Sequence, residues 1–140
     1  MTLTIQSITV DADDPGPVAT FWQHALGWRR THEDDEEIVL EPPAGSPQDG
    51  VAPDLLVVRV PEVKTVKNRV HLDLRPSGSM AEEVERLRTL GASVGELVEV
   101  PASALDGQPS SWTVMGDPEG NEFCVLRGPG DGWRADAPLG

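Results

Sequence analysis

Apolar and polar side chains recur along most of the chain, and the period changes from segment to segment. From Leu3 to Asp11 they alternate, with Ile5, Ser7, Thr9 and Asp11 on one face and Gln6, Ile8 and Val10 on the other. Alternation of this kind predicts a strand, and its more apolar second face should lie against a helix. Asp13-Asp14-Pro15-Gly16-Pro17 reads as a turn into that helix, with carboxylates near its positive N-terminal end. Val18, Phe21, Trp22, Ala25 and Leu26 recur at helical spacing from about Pro17 to Leu26, and Gly27 supplies the stop. Thr31 to Glu37 is polar, Ile38-Val39-Leu40 is a short apolar run, and the Pro- and Gly-rich stretch 42–53 predicts a surface loop. Leu55 to Val60 predicts a strand closed by Pro61.

The second half begins with another alternating strand, Arg69 to Arg75. Ser79 to Leu90 is the clearest helix, with Met80, Val84, Leu87 and Leu90 as its apolar stripe. Ser79 followed by Glu82 has the spacing of a capping box, and Gly91 ends the helix. Leu97 to Val100 predicts a short strand and Pro101 to Ser110 a loop. Trp112 to Met115 and Glu122 to Arg127 predict two strands, joined by Asp117-Pro118-Glu119-Gly120, a sequence suited to a type I turn. The tail from Gly128 reads as extended or loosely docked.

The order strand, helix, Leu-Gly, then about three strands occurs twice. Leu26-Gly27 recurs as Leu90-Gly91, and the same offset carries Ile8 to Leu72 and Val10 to Leu74. It also carries Ser7 to His71, Thr9 to Asp73 and Asp11 to Arg75, so a mostly polar face repeats in both halves. Such a face is useful if it lines a cleft. Two βαβββ units could each cover one sheet face with a helix and curve the other into a cavity.

Composition narrows the partners. The chain has 140 residues, with 11 Lys+Arg against 24 Asp+Glu and a formal net charge of −13. The size suits one domain, and the acidity argues against nucleic acid. No apolar run is long enough to cross a bilayer, and the N-terminus lacks the features of a secretory signal. A single cysteine, Cys124, cannot form an internal disulfide, which makes a reducing cytoplasm the simplest compartment. The high Arg, Gly and Pro content resembles the codon bias of a GC-rich bacterial genome.

The segments ITVDADDPGPVATFWQHALGW, NRVHLDLRP, VERLRTLGASV and WTVMGDPEGNEFCVLR, in this order, resemble the glyoxalase/bleomycin-resistance/dioxygenase superfamily, the vicinal oxygen chelate fold. The resemblance runs from about Leu3 to Arg127. It implies an α+β fold of two tandem βαβββ modules forming a curved mixed sheet around a cleft, with the helices on the outside. The expected domain is single and spans 1–140, with module 1 at about 3–62, module 2 at about 67–127 and a tail at 128–140. The superfamily hosts lyases, isomerases, dioxygenases and drug-sequestering proteins, so the fold does not choose the reaction.

Metal-dependent members hold a divalent ion with His and Glu from the first and last strands of each module. Carried over, the first-strand positions fall on Ser7 and His71, and the second module's last-strand position falls on Cys124. The repeat offset places its counterpart at Val60, with Leu56 and Val58 on the same strand face. Glu122 is kept out of the ligand role because Phe123 and Val125 need the core face. The set is depleted, so no catalytic metal and no cofactor are expected, and Cys124 reads as a small buried hydrophobe.

The expected cleft is lined by Ser7, Thr9, Asp11, Val58, Val60, His71, Asp73, Trp112 and Cys124. His71 and Asp73 share a strand face; they read as ligand contacts, or with His71 as a general base, although residues two apart on a strand are far for a hydrogen-bonded pair. Trp112 could stack on a flat or cationic ligand or pack in the core. Phe21 and Trp22 read as core, Trp28 as a plug at a sheet edge, His24 and His32 as solvent-facing, and Trp133 as docking on the domain or on a partner subunit. Glu33 to Glu37 reads as a solvated turn, or as a lure for a cationic ligand.

The function expected is small-organic-ligand binding, for resistance or sequestration, by a homodimer. The alternative is a lyase, isomerase or dioxygenase of the same fold, using His71 as base or an unusual metal ligand set.

Overall fold

Both halves of the chain fold as strand, helix and three further strands. The computed structural model describes residues 1–102 and 109–135. It divides into two units, Met1–Val66 and Lys67–Gly140. The first holds β1 (Ser7–Ala12), α1 (Pro15–Leu26), β2 (Arg29–Glu33), β3 (Glu37–Glu41) and β4 (Asp54–Arg59). The second holds β5 (Leu72–Leu74), α2 (Met80–Thr89), β6 (Ser93–Val100), β7 (Ser110–Gly116) and β8 (Glu122–Leu126), followed by a 3-10 turn at Pro129–Asp131.

Each unit has its own four-stranded mixed sheet, and the orders correspond: β1-β4-β3-β2 and β5-β8-β7-β6. In each, the first strand pairs in parallel with the last, and the remaining pairs are antiparallel. A parallel pair needs a long crossover, which the helix and two strands between β1 and β4, or β5 and β8, supply. The fold is therefore α+β, built of two tandem βαβββ modules.

α1 forms because Val18, Ala19, Phe21 and Trp22 fall on one side, where all are buried. Phe21 and Trp22 meet edge to face, with centroids 5.3 Å apart and planes at 80°. Gly27 ends the helix in the left-handed region (φ 68°) that a side chain disfavours, and a backbone N–H at this cap reaches Gln23 O. Under the helix lie Ile38, Leu40, Leu55 and Val57, all at most 3% exposed. α2 carries the capping box read from Ser79 and Glu82 and buries Leu87. Gly120 N donates to Asp117 O at 2.9 Å, closing the expected turn between β7 and β8.

The elements differ from expectation where polar or local forces dominate. β2 lies in what reads as polar chain. It is an edge strand paired only to β3 and exposed at most positions, so no apolar period marks it. β1 begins at Ser7 instead of Leu3, and the strand expected over Arg69–Arg75 shrinks to Leu72–Leu74. β6 begins at Ser93, four residues before the expected Leu97, and an irregularity between Val94 and Leu97 hides its alternation.

The start of the tail is firmly docked. Asp131 accepts from Met80 N at 2.7 Å and Gly128 N at 2.9 Å, so it caps the first turn of α2. Gly128 packs so closely that a Cβ there would stand 2.1 Å from Gly78 O. Most of the loop expected over Pro101–Ser110, and the end of the tail, lie outside the described residues.

Candidate functional site

The second sheet has two unlike faces. Leu72, Leu74, Phe123 and Val125 turn to one side, and Phe123 and Val125 are each 1% exposed. Their neighbours one residue out of phase turn to the other. Register sets Asp73 beside Cys124, Cys124 beside Val114, and Leu126 beside Trp112. These side chains, with Lys67, His71 and Glu122, line a cavity of about 320 Å³.

His71 stands just before β5, freed from the pleat because the strand starts one residue later. Its Nδ1 lies 3.2 Å from Asp73 Oδ1, within ion-pair reach. The geometry expected of a full strand would have held the pair apart. Such a carboxylate can orient the ring.

Cys124 is 6% exposed. Burial pushes its thiol above the usual range, Asp73 adds to this by charge and hydrogen bonding, and Lys67 opposes it. Glu122 accepts from Asn68 N at 3.0 Å, and Asn68 Nδ2 donates to Asn121 Oδ1 at 3.0 Å.

Four of the expected site residues, His71, Asp73, Trp112 and Cys124, thus meet in one cavity. Ser7, Thr9, Asp11, Val58 and Val60 belong to the first unit. There Thr9 pairs with Leu56 and Asp11 with Val58, on the corresponding parallel ladder. Val60 lies past the end of β4, its N–H donating to Ala12 O at 2.9 Å.

The ladders correct one carried-over position. Thr9 stands to Leu56 as Asp73 stands to Cys124, so the counterpart of Cys124 is Leu56 and not Val60. A constant offset fails there because the second unit has a longer path from its helix to its last strand. Glu122, two residues from Cys124, shares that face while Phe123 and Val125 keep the core, and it lies outside the converging group of donors. Alternation alone would have found Val114, Glu122 and Leu126 beside Trp112 and Cys124. Lys67 precedes the strand and carries no such signal.

Among the described residues one group of metal-capable donors converges, His71, Asp73 and Cys124, with ligand atoms within 4.8 Å of one another. This does not match the imidazole and carboxylate set of a hard divalent ion drawn from both modules, since the first unit offers only Ser7 and Leu56 at the matching positions. Imidazole, carboxylate and thiolate together are donors for a borderline ion such as zinc.

The acidic run forms the β2–β3 hairpin turn. Asp34 Oδ1 accepts from Glu36 N at 2.8 Å and Glu37 N at 2.9 Å, and Asp34 Oδ2 lies 3.0 Å from His32 Nε2. These bonds hold Asp34 down to about 2. His24 and His32 are exposed. No helix among the described residues is long and apolar enough to cross a membrane.

Known proteins show the same architecture. No curated protein matches the chain. Among solved structures, a glyoxalase/bleomycin resistance protein/dioxygenase family enzyme from Burkholderia phytofirmans superposes with a TM-score of 0.68 at 13% identity, over 89% of this chain and 98% of that one. A fosfomycin resistance protein from Listeria monocytogenes, solved with Mn(II) and a dihydroxypropylphosphonic acid, gives 0.66 at 16% identity, over 91% and 92%. A lactoylglutathione lyase from Agrobacterium tumefaciens gives 0.59 at 16% identity, over 88% and 92%. At these identities the likeness is one of fold. The family model for the glyoxalase-like domain matches residues 7–126, and the chain therefore belongs to the glyoxalase-like domain family of the vicinal oxygen chelate superfamily.

Proposed function

We propose that the chain binds a small organic ligand on the open face of its second sheet, for resistance or sequestration, without a hard-ion metal site. The carrying observation is the cavity of about 320 Å³ that gathers His71, Asp73, Trp112 and Cys124 on one face. Its volume is in the range of small-molecule sites. It offers an aromatic wall at Trp112, an apolar floor at Val114 and Leu126, and polar anchors at His71 and Asp73. The two units are read as modules of one domain, acting as a homodimer in a reducing cytoplasm.

A thermal-shift screen of the full chain against cationic glycopeptides, thiol adducts and aromatic diols tests this. A ligand present at about 100 times its Kd adds about 2.7 kcal/mol to stability. Binding with the ligand recovered unchanged is the expected result. Turnover that is lost in His71→Ala overturns it.

A second reading has its own support. The 3.2 Å contact between His71 and Asp73 suits a general base and its orienting carboxylate. His71, Asp73 and Cys124 would also hold a borderline ion, whose chemistry is to polarise a bound oxygen. Elemental analysis of protein purified without chelator or affinity nickel separates the two. Stoichiometric zinc lost in His71→Ala favours the second.

A further inference from the structure

A second cavity, of about 180 Å³, adjoins the first through shared walls at Trp112 and Leu126. We propose that it is an oxyanion subsite formed by Arg75 and Arg127, so that the ligand is a small organic acid. This rests on the reading that the same sheet face binds a ligand.

The charge pattern carries it. The chain has a net charge of −13, yet among the described residues the only ionisable side chains lining this cavity are two guanidiniums. Neither has a carboxylate partner among the described residues. Arg75 donates to Arg127 O at 2.5 Å, and Arg127 donates to Pro109 O at 2.6 Å and to Asp131 O. Each guanidinium has five N–H donors, so both keep several for a ligand. Carbonyl contacts fix the forks in place without neutralising them.

Arg75 is further held by Trp133, its Cζ standing 3.8 Å from the ring centroid. Desolvation lowers Arg75 from its ordinary value, and no acid among the described residues offsets that cost. An incoming oxyanion would. Ser110 and Ser111 bring hydroxyl donors to the same wall. Fixed, planar forks suit bidentate recognition of carboxylate, sulfate or phosphonate oxygens. A molecule with its acid group here would lay its body across Trp112 toward His71.

The test titrates the full chain with inorganic phosphate, methylphosphonate and acetate at constant ionic strength, following the Trp112 and Trp133 indole resonances by NMR. Saturable shifts are expected, with the strongest probe identifying a tetrahedral or planar head group. Arg75→Gln should weaken the apparent affinity about tenfold or more, and Arg75→Lys by less, since it keeps the charge but not the fork. Arg88→Gln, on the exposed face of α2, should change nothing. Arg127 also ties the tail, so Arg75 is the informative position. Absent saturation, or equal binding by Arg75→Gln, overturns the subsite. A screened ligand that binds Arg75→Gln as tightly as the native chain overturns the subsite alone. Oxyanion binding with no screened ligand bound supports the subsite and counts against the larger cavity.

Discussion

Asp73 and Cys124 are partners across the parallel ladder of β5 and β8, a carboxylate set beside a buried thiol. Burial first, and then Asp73, keep that thiol protonated. Asp73→Asn removes the negative charge and should lower the thiol's titration midpoint. At pH 8 the variant should be alkylated faster by iodoacetamide than the native chain. The pH profile of the alkylation rate checks this, and an unmoved midpoint contradicts it.

Asp34 gives the opposite sign. Its pKa falls from 3.8 to about 2 because Glu37 N–H, Glu36 N–H and His32 bond the charged form. A depressed carboxyl stabilises the fold fully above its ordinary value and ceases to as pH falls through the folded value. The β2–β3 hairpin should therefore loosen between about pH 4 and pH 2. A carboxyl resonance titrating near 2 in the native chain, with hairpin shifts that move with it, is the expected NMR result.

The helix start is held from two directions. Asp131→Ala leaves Met80 N and Gly128 N without their shared acceptor, and Ser79→Ala removes the capping box. Each should cost about 0.5–2 kcal/mol in urea denaturation. A neutral Asp131→Ala would mean that the tail does not cap α2 in solution.

Core truncations should cost more. Trp22→Ala, at a position 2% exposed and in edge contact with Phe21, should lose about 3–5 kcal/mol. Leu87→Ala, also 2% exposed, should lose about 2–5 kcal/mol. The Arg86–Glu83 and Arg88–Glu85 pairs are solvent-accessible, and removing either should leave the urea midpoint almost unchanged.

What was legible follows from how local the signal is. α1, α2, the Asp117–Gly120 turn and the alternation of β8 each rest on neighbours within a few residues, and they appear where the pattern places them. β2 escapes because an exposed edge strand has no apolar face to announce it. The His71–Asp73 contact escapes because it depends on the strand starting only after His71. Leu56 replaces Val60 because a repeat offset is only as good as the lengths between its strands. The shared face of His71 and Asp73 was readable from period two and the repeat, whereas Cys124 joined the expected cleft through the family resemblance. The arginine cavity was not, since it exists only once Trp133 returns to Arg75.

The parallel edge pairs have a kinetic consequence. β2–β3–β4 and β6–β7–β8 are antiparallel runs closed by connections shorter than the crossovers, whereas β1 and β5 find their partners across about fifty residues of chain. β1 and β5 should therefore join late in folding. As the chain leaves the ribosome, β1 and the Phe21–Trp22 face of α1 emerge well before β4 exists to receive them. Between its first strand and its fourth, the nascent chain should therefore carry apolar surface that only later synthesis can cover.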